Sequence, residues 1–173
     1  MPEIPLDRRI LYFSRDRGEF GFLSHFWPAP IVIDNEEWPT VEHYYQAQKS
    51  ADPGYREAIR QAATPAKAKR LAAQPHAPRR ISHHSWFRAN ETLPREDWFE
   101  VKLDIMRRAD CAKFIQNPEL AAALLATEDA ELIEDSPFDP YWGIGRDGRG
   151  LNWAGRVLME VRQKLAVNRS DLR

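Results

Sequence analysis

Four residues, Glu42, Tyr45, Gln46 and Lys49, have types and spacing that suggest chemistry. They belong to the segment WPTVEHYYQAQK, in which Thr40 is typical of a helix N-cap and Glu42 falls in the first turn. With about 3.6 residues per turn, such a helix presents the four side chains on one narrow stripe. A substrate lying along this stripe would meet a carboxylate at one end and an amine at the other.

Aromatic residues are unusually dense around this stripe. Taken alone, the stripe also fits an exposed polar face on which Glu42 only serves the helix dipole. The density of rings favours a walled pocket for a planar ligand, with Tyr45 as one of its contacts. The aromatic residues in question are Phe20, Phe22, Phe26, Trp27, Trp38, Tyr44 and Tyr45.

A second block, SPFDPYWGIGRDGRGLNWAG, contains a glycine-rich loop that ends at Asn152. Its G-x-G-x-x-G pattern is not a dinucleotide fingerprint, because Pro137 and Pro140 stand where the preceding strand should end. The glycines instead predict a tight loop that approaches another group closely, with Asn152 capping the next helix. Asp139 and Trp142 stand at the mouth of this loop. Asp139 fits a catalytic carboxylate and an ordinary turn residue about equally well.

The sequence lacks the residue patterns of several other familiar kinds of site. His83 and His84 have neither the HExxH spacing nor nearby cysteines or acids, which favours a loop pair over a metal site. The single cysteine, Cys111, excludes an internal disulfide. No serine-hydrolase elbow is present. We therefore expect a reaction that needs neither a metal nor an organic cofactor.

The elements expected to position these residues are mostly helices. Helical spacing and capping signals predict a mainly α-helical α+β domain with a small β component. The segment from Gln74 to Pro94, broken by three prolines, is predicted to be rich in loops. The short strands are predicted at Ile10–Ser14 and Ile31–Ile33, and the helices after Thr40, over Tyr55–Ala62, after Thr64, over Arg95–Gln116, over Pro118–Leu125 and after Asn152.

Length and charge limit the classes of protein that remain. The 173 residues fit one domain, with its core over about residues 10–166. The formal net charge of −1 excludes a strong overall attraction to nucleic acid or anionic membranes. No apolar run has the length of a membrane span. These features predict a cytoplasmic protein that does not associate with membranes.

The chain resembles the NADAR family. The matching segments extend from about Phe20 to Leu165 in family order. One departure is His25, which stands where the family usually has asparagine between a serine and a phenylalanine. The matching segments are GFLSHFWPAPIVID, WPTVEHYYQAQK, ATPAKAKRLA, VKLDIMRRADCAKFIQNPELAAALLAT and ELIEDSPFDPYWGIGRDGRGLNWAGRVLMEVR.

The resemblance implies an N-glycosidase that cleaves the C1′–N bond of ribosyl or ADP-ribosyl compounds. Two substrate types stay open: early intermediates of riboflavin biosynthesis, and guanine bases of nucleic acid that carry ADP-ribose. It also implies that Ser24, His25 and Phe26 contribute polar and aromatic contacts to the substrate pocket.

The chemistry of such a reaction assigns candidate roles to the two blocks. Breaking a C1′–N bond builds positive charge on the ribose, which Glu42 or Asp139 would stabilise while the other orients water or moves a proton. A desolvated Lys49 would instead attack C1′ and form a Schiff base. Trp142 would stack on the base or ribose, Asn152 would contact the substrate, and the amides from Gly143 through Gly145 to Gly150 would lie along phosphates.

Two rival classes stay open at this level. A binding module for NAD or ADP-ribose would keep the pocket but show no turnover. A nucleic-acid-binding protein would use the basic segment between Arg56 and Arg88, although the nearly neutral overall charge argues against it.

Overall fold

The computed structural model of the protein describes residues 8–12, 18–73 and 85–170. The chain divides into two compact units, which we call the central unit, Pro28–Ala109, and the terminal unit, Met1–Trp27 with Asp110–Arg173. The expectation of a single domain over residues 1–173 stays a prediction.

Helices dominate the described residues, and the strands form two separate two-stranded sheets. This confirms the mainly helical α+β class. No helix in the described ranges has the length and apolarity needed to span a membrane. The helices are α1 (Val41–Ala47), α2 (Pro53–Arg60), α3 (Pro65–Leu71), α4 (Trp86–Ala89), α5 (Trp98–Gln116), α6 (Pro118–Ala126) and α7 (Trp153–Ser170), and the strands are β1 (Arg9–Tyr12), β2 (Ile31–Ile33), β3 (Glu36–Trp38) and β4 (Glu131–Glu134), with a 3-10 turn at Gly21–Leu23.

The helices of the central unit begin at side-chain caps. Thr40 accepts a hydrogen bond from the amide of His43, and Thr64 accepts one from the amide of Lys67. Asp52 caps α2 in the same way, with Pro53 at the first helical position, where proline loses no helical hydrogen bond. These caps satisfy amides that the helices leave unpaired at their N-termini. The helix starts after Thr40 and Thr64 are confirmed, whereas α2 begins two residues earlier than predicted.

Helix α1 packs against α2, α3 and the hairpin of β2 and β3. The hairpin pairs Ile31 with Trp38 through a turn at Asp34 and Asn35, both of which have positive φ angles. Asparagine and aspartate tolerate this conformation better than most residues. Tyr55 lies in the core and donates its hydroxyl hydrogen bond to the carbonyl of Gln46, 2.8 Å away. Every residue of α1 is consequently buried.

In the terminal unit, β1 and β4 pair in parallel, and α7 packs against β4. The side-chain amide of Asn152 bridges to β4 by accepting from the amide of Glu134 at 3.0 Å and donating to the carbonyl of Leu132 at 2.9 Å. Asn152 itself has a φ of 51°. One turn later, Gly155 lies against Leu132, so that the absence of a side chain at Gly155 lets α7 approach the strand.

Three details of the sequence prediction need correction. The segment predicted to be loop-rich contains the short helix α4, capped by Ser85, while residues 74–84, with His83 and His84, lie outside the described residues. Helix α5 begins at Trp98 instead of Arg95, because Arg95 precedes it in an ion pair with Asp97. Strand β1 begins at Arg9, one residue earlier than predicted, and the predicted end at residues 13 and 14 lies outside the described residues.

The close approach of α7 to β4 yields a stability prediction. We expect Gly155→Ala to lower the free energy of unfolding by about 3 kcal/mol, because the added methyl group would overlap the carbonyl oxygen of Leu132. Gly54→Ala is the matched control, since its methyl group would lie 3.3 Å from the nearest atom. Urea unfolding of the two variants measures the difference. Equal stabilities would contradict the packing described for Gly155.

Candidate active site

In the central unit, the predicted stripe is buried and not an exposed polar face. Glu42 is 4% exposed, and its carboxylate oxygen Oε1 accepts a hydrogen bond from Nε2 of Gln46 at 2.8 Å. The other amide atom of Gln46, Oε1, is buried and has no hydrogen-bond partner in the described part of the chain. A buried acceptor without a donor is costly. The pair therefore offers a fixed carboxylate beside an acceptor that a ligand hydroxyl would satisfy.

Lys49 follows the stripe but does not belong to the helix. Helix α1 ends at Ala47, and the amide of Lys49 donates to the carbonyl of Gln46 at 3.2 Å in a tight turn. Its Nζ donates to the carbonyl of Ala72 at 3.1 Å and lies 5.5 Å from the centre of the Trp98 ring. The amine is thus held by a main-chain oxygen and an aromatic face.

These surroundings change the protonation of Lys49. Burial lowers the pKa of its amine to about 8; Lys69 and Lys102 also lower it, and the charge of Glu42 opposes them. At pH 7 about a tenth of the molecules then carry a neutral amine, far more than for an ordinary lysine. A lowered pKa is one condition that a nucleophilic amine would need, and the catalytic role of Lys49 stays a prediction.

The aromatic walls around Lys49 come from two elements. The ring of Tyr45 packs against that of Trp98, with 5.0 Å between their centres, and both rings are buried. Tyr45 thus packs on Trp98, the ring that Lys49 faces, and its predicted contact to substrate stays a prediction. Trp98 was predicted only as a core residue of α5.

In the terminal unit, the segment Ser24–His25–Phe26 is tied to α5. Ser24 is 1% exposed, and its hydroxyl accepts from the amide of Phe26 at 3.0 Å. His25 Nε2 lies 3.1 Å from Oδ2 of Asp110. Nζ of Lys113, fully buried, donates to the carbonyls of Phe22 at 2.6 Å and Ser24 at 2.9 Å. Burial lowers the pKa of Lys113 to about 8, while Asp110 opposes the shift.

Asp110 and Lys113 are the residues that the sequence prediction missed. The helical spacing of the apolar residues Trp98, Val101, Ile105, Ala109 and Ala112 predicts one core stripe; Trp98 and Ala109 are buried, but Val101, Ile105 and Ala112 are only half-buried. The buried face of α5 instead carries polar side chains at two positions. The sequence signal for this pair is its spacing of three residues, which places Asp110 and Lys113 on one side of a helix, next to Ala109 and Phe114, which are buried.

Asp139 has the geometry of a turn residue. Its Oδ1 accepts hydrogen bonds from the amides of Tyr141 at 3.0 Å and Trp142 at 2.9 Å, and its carbonyl accepts from the amide of Gly143 at 3.0 Å. Aspartate commonly stabilises turns in this way. Trp142 lies beside His25, with ring centres 6.4 Å apart and planes at 83°.

The glycine loop forms internal hydrogen bonds with several of its amides, and the expectation that its amides lie along phosphates stays a prediction. The amide of Gly143 donates to Asp139, that of Gly145 to Ser136 at 3.0 Å, and that of Gly150 to Ile144 at 2.6 Å. A side chain at Gly143 would come within 2.6 Å of the carbonyl oxygen of Glu134. Gly143 and Gly145 therefore serve close packing of the loop on β4 and on itself.

The prediction for Asn152 is also corrected in part. Its carbonyl accepts the first hydrogen bond of α7, from the amide of Arg156 at 3.0 Å, as expected for an N-cap position. Its side chain, however, bonds to the main chain of β4 at both ends instead of capping the helix. This bridge gives the Asn152 side chain a structural role, and its contact to substrate stays a prediction.

Comparison with known proteins adds to this geometry. Residues 12–166 match the model of the NADAR domain family. The chain belongs to the NADAR family. It is 40% identical over 160 residues to the N-glycosidase YbiA of Escherichia coli K12, covering 92% of this chain and 91% of that protein. The NMR structure of E. coli YbiA superimposes with a TM-score of 0.76 and 39% identity, covering 96% of this chain and 89% of YbiA.

One further relative has a name that specifies a biosynthetic pathway. The riboflavin biosynthesis protein VVA0006 of Vibrio vulnificus is 39% identical over 155 residues, covering 90% of this chain but 38% of the Vibrio protein. The similarity to relatives named N-glycosidase over most of both chains identifies this NADAR protein as an N-glycosidase. The prediction of an enzyme is thereby confirmed, and a purely binding module is set aside.

The surroundings of Lys49 yield a prediction about its titration. We expect the Lys49 amine to titrate with a pKa of about 8 and Glu42→Gln to lower that pKa further, because the charge of Glu42 raises it. NMR titration of the labelled Nζ and adjacent carbon measures this pKa. The control is Glu37→Gln, which changes an exposed glutamate of β3 and should leave the pKa of Lys49 unchanged. A pKa near 10.5, or one that Glu42→Gln does not move, would contradict the desolvated environment.

Proposed function

We propose that this NADAR N-glycosidase hydrolyses the C1′–N bond of ribosylated early intermediates of riboflavin biosynthesis. The observation that supports this reaction is the desolvation of the Lys49 amine, which lowers its pKa to about 8. The charge of the buried Glu42 carboxylate acts on the same amine. The substrate is supported by the Vibrio relative, whose name places it in riboflavin biosynthesis.

Glu42 is the proposed group that stabilises the positive charge on the ribose. As the C1′–N bond breaks, C1′ and the ring oxygen share a positive charge, and a fixed carboxylate lowers the energy of that state. The bond from Gln46 holds one Glu42 oxygen in place. The unpartnered oxygen of Gln46 is placed beside it to accept a ribose hydroxyl hydrogen.

Lys49 is the proposed nucleophile. Its neutral amine forms a bond to C1′ as the C1′–N bond to the base breaks and the base takes the electron pair. Opening of the ribose ring then gives an imine on Nζ, which water hydrolyses to release the sugar and restore the amine. The alternative is electrostatic, with a protonated Lys49 holding a phosphate or a ribose hydroxyl.

Trp142 is proposed to contact the substrate, and Asp139 is proposed to hold Trp142 in position. Asp139 fixes the turn that carries Trp142, because its Oδ1 binds the amide of Trp142. Trp142 then stacks on the base or ribose. That Glu42 and Asp139 act together on one sugar stays a prediction. It implies that replacing either residue would lower the rate about 10²-fold.

ADP-ribosylated guanine in nucleic acid is the second substrate type. Several amides of the glycine loop donate to main-chain carbonyls within the loop and to β4, which leaves fewer of them for a pyrophosphate. A free riboflavin intermediate is therefore the substrate that we favour. The nucleic-acid substrate is the alternative that the experiment below also tests.

Incubation with both substrate types tests the proposal. We expect release of a free base from a ribosylated riboflavin intermediate, detected by chromatography, and unchanged turnover with a chelator present throughout, since no metal or organic cofactor is invoked. No group of three His, Cys, Asp or Glu residues suited to a metal occurs in the described ranges. Release of ADP-ribose from modified guanine, with the riboflavin intermediate untouched, would reverse the substrate assignment. Loss of activity on chelation, restored by a divalent ion, would contradict the cofactor-free reaction.

Substitution of Lys49 separates its two candidate roles. We expect borohydride to trap a covalent adduct on Lys49 during turnover and Lys49→Arg to abolish both adduct and turnover, because a guanidinium cannot form the imine. Glu42→Gln should lower kcat about 10²-fold or more. Lys67→Ala, which removes an exposed lysine of α3, is the control and should keep full activity. Retention of most of the rate by Lys49→Arg would end the nucleophile hypothesis.

A further inference from the structure

Gln46, in the central unit, carries a buried hydrogen-bond acceptor that no group in the described part of the chain satisfies. The residue is 3% exposed, and its Nε2 donates to Oε1 of Glu42 at 2.8 Å. An ionised carboxylate only accepts hydrogen bonds, so this contact fixes the amide nitrogen towards Glu42 and leaves the amide oxygen on the other side. A buried acceptor of this kind is costly unless a ligand supplies the donor.

The Gln46 residue is held at both its main chain and its side chain. Its main-chain carbonyl accepts hydrogen bonds from the hydroxyl of Tyr55 at 2.8 Å and from the amide of Lys49 at 3.2 Å. Its side-chain nitrogen is held by Glu42, one helical turn earlier. The position of the amide oxygen is therefore set within the central unit, as the recognition of a single hydroxyl group requires.

An exposed pair of the same residue types shows what burial changes. At the end of α2, Nε2 of Gln61 donates to Oε1 of Glu57 at 3.0 Å, with the same spacing of four residues. Both residues are exposed, so water can bond to the amide oxygen of Gln61. The amide oxygen of Gln46 is out of contact with water. A hydroxyl group reaches it only when the side chains that cover it move aside, and it then forms a bond that water does not provide.

The 2′-hydroxyl is the ribose hydroxyl next to C1′, where Glu42 is proposed to act. A sugar with C1′ at Glu42 has its 2′-hydroxyl nearest to the amide that bonds to Glu42. As positive charge develops at C1′, this hydroxyl becomes a stronger donor. A hydrogen bond from it to Gln46 consequently strengthens in the transition state, which is where an interaction accelerates the reaction.

We propose that Gln46 accepts a hydrogen bond from the 2′-hydroxyl of the substrate and thereby restricts this N-glycosidase to ribosyl compounds. The inference rests on the proposed function, in which Glu42 acts at C1′. A 2′-deoxyribosyl compound would leave the amide oxygen of Gln46 buried without a donor. The enzyme thus rejects the C1′–N bonds of DNA while it accepts those of ribosylated intermediates.

The intrinsic reactivity of the two sugars has the opposite order. The transition state resembles an oxocarbenium ion, and a 2′-hydroxyl destabilises that ion by withdrawing electrons from C1′. In solution, a 2′-deoxyribosyl bond therefore breaks more readily than a ribosyl bond. A preference of the enzyme for ribose requires a favourable contact to the hydroxyl, whereas an enzyme without that contact would cleave the deoxy compound faster.

Three matched substrates test this recognition in the wild-type protein: a ribosylated riboflavin intermediate, its 2′-deoxy analogue and its 3′-deoxy analogue. We expect kcat/KM to be about 10- to 100-fold lower for the 2′-deoxy analogue, because a buried acceptor is left unpaired, and nearly unchanged for the 3′-deoxy analogue. Equal or faster cleavage of the 2′-deoxy analogue would overturn the proposal, as would a larger loss with the 3′-deoxy analogue.

Substitution of Gln46 tests the residue itself. Gln46→Met keeps the length of the side chain but removes the acceptor, so the ratio of kcat/KM between the ribosyl and 2′-deoxyribosyl compounds should fall about 10-fold or more. Any weaker support of Glu42 lowers both rates and cancels in this ratio. Gln61→Met, which alters the exposed pair at the end of α2, is the matched control and should keep the wild-type ratio. A wild-type ratio in Gln46→Met would overturn the role of Gln46.

Failure of this inference and failure of the proposed function give different results. A wild-type protein that cleaves ribosyl and 2′-deoxyribosyl compounds equally well is an N-glycosidase without this specificity, and only the inference falls. A wild-type protein with no turnover of any ribosyl compound contradicts the proposed function and the inference together.

Discussion

Each unit of this N-glycosidase holds a lysine amine on main-chain carbonyl oxygen, with Lys113 fully buried and Lys49 half-buried. Nζ of Lys49 donates to Ala72, and that of Lys113 donates to Phe22 and Ser24. An ammonium group out of water is costly, and the cost appears as a pKa of about 8 for both amines. The turn after α1 and the segment before His25 depend on these bonds for their conformation.

The two amines differ in what surrounds them, and this difference separates chemistry from support. Lys113 binds two carbonyls and is fully buried, so its hydrogens are largely used within the fold. Lys49 binds one carbonyl and faces the ring of Trp98, and the fixed carboxylate of Glu42 influences its charge. A low local dielectric strengthens the effect of the Glu42 charge on the Lys49 amine, while burial favours the neutral form of that amine.

The glycine-rich block shows how a motif of ligand-binding appearance can serve packing. Gly143 lies where a side chain would meet the main chain of β4, and Asn152 bridges the same strand with both ends of its amide. The main-chain N–H and C=O groups of such a loop need hydrogen-bond partners, and here several of them bond to one another. The loop thereby gives a rigid base for Trp142, the side chain in this block that stands next to His25.

The sequence alone determined the features that depend on local signals. Capping residues such as Thr40 and Thr64 and the turn at Asp34–Asn35 act over a few residues, as does the helical stripe from Glu42 to Gln46. Family motifs identified the N-glycosidase. Tertiary structure alone decided that Asp110 meets His25, 85 residues away, and that several amides of the glycine loop bond within the fold. Helical spacing does not show which face of α5 is buried, because a polar residue enters a core only when a distant partner satisfies it.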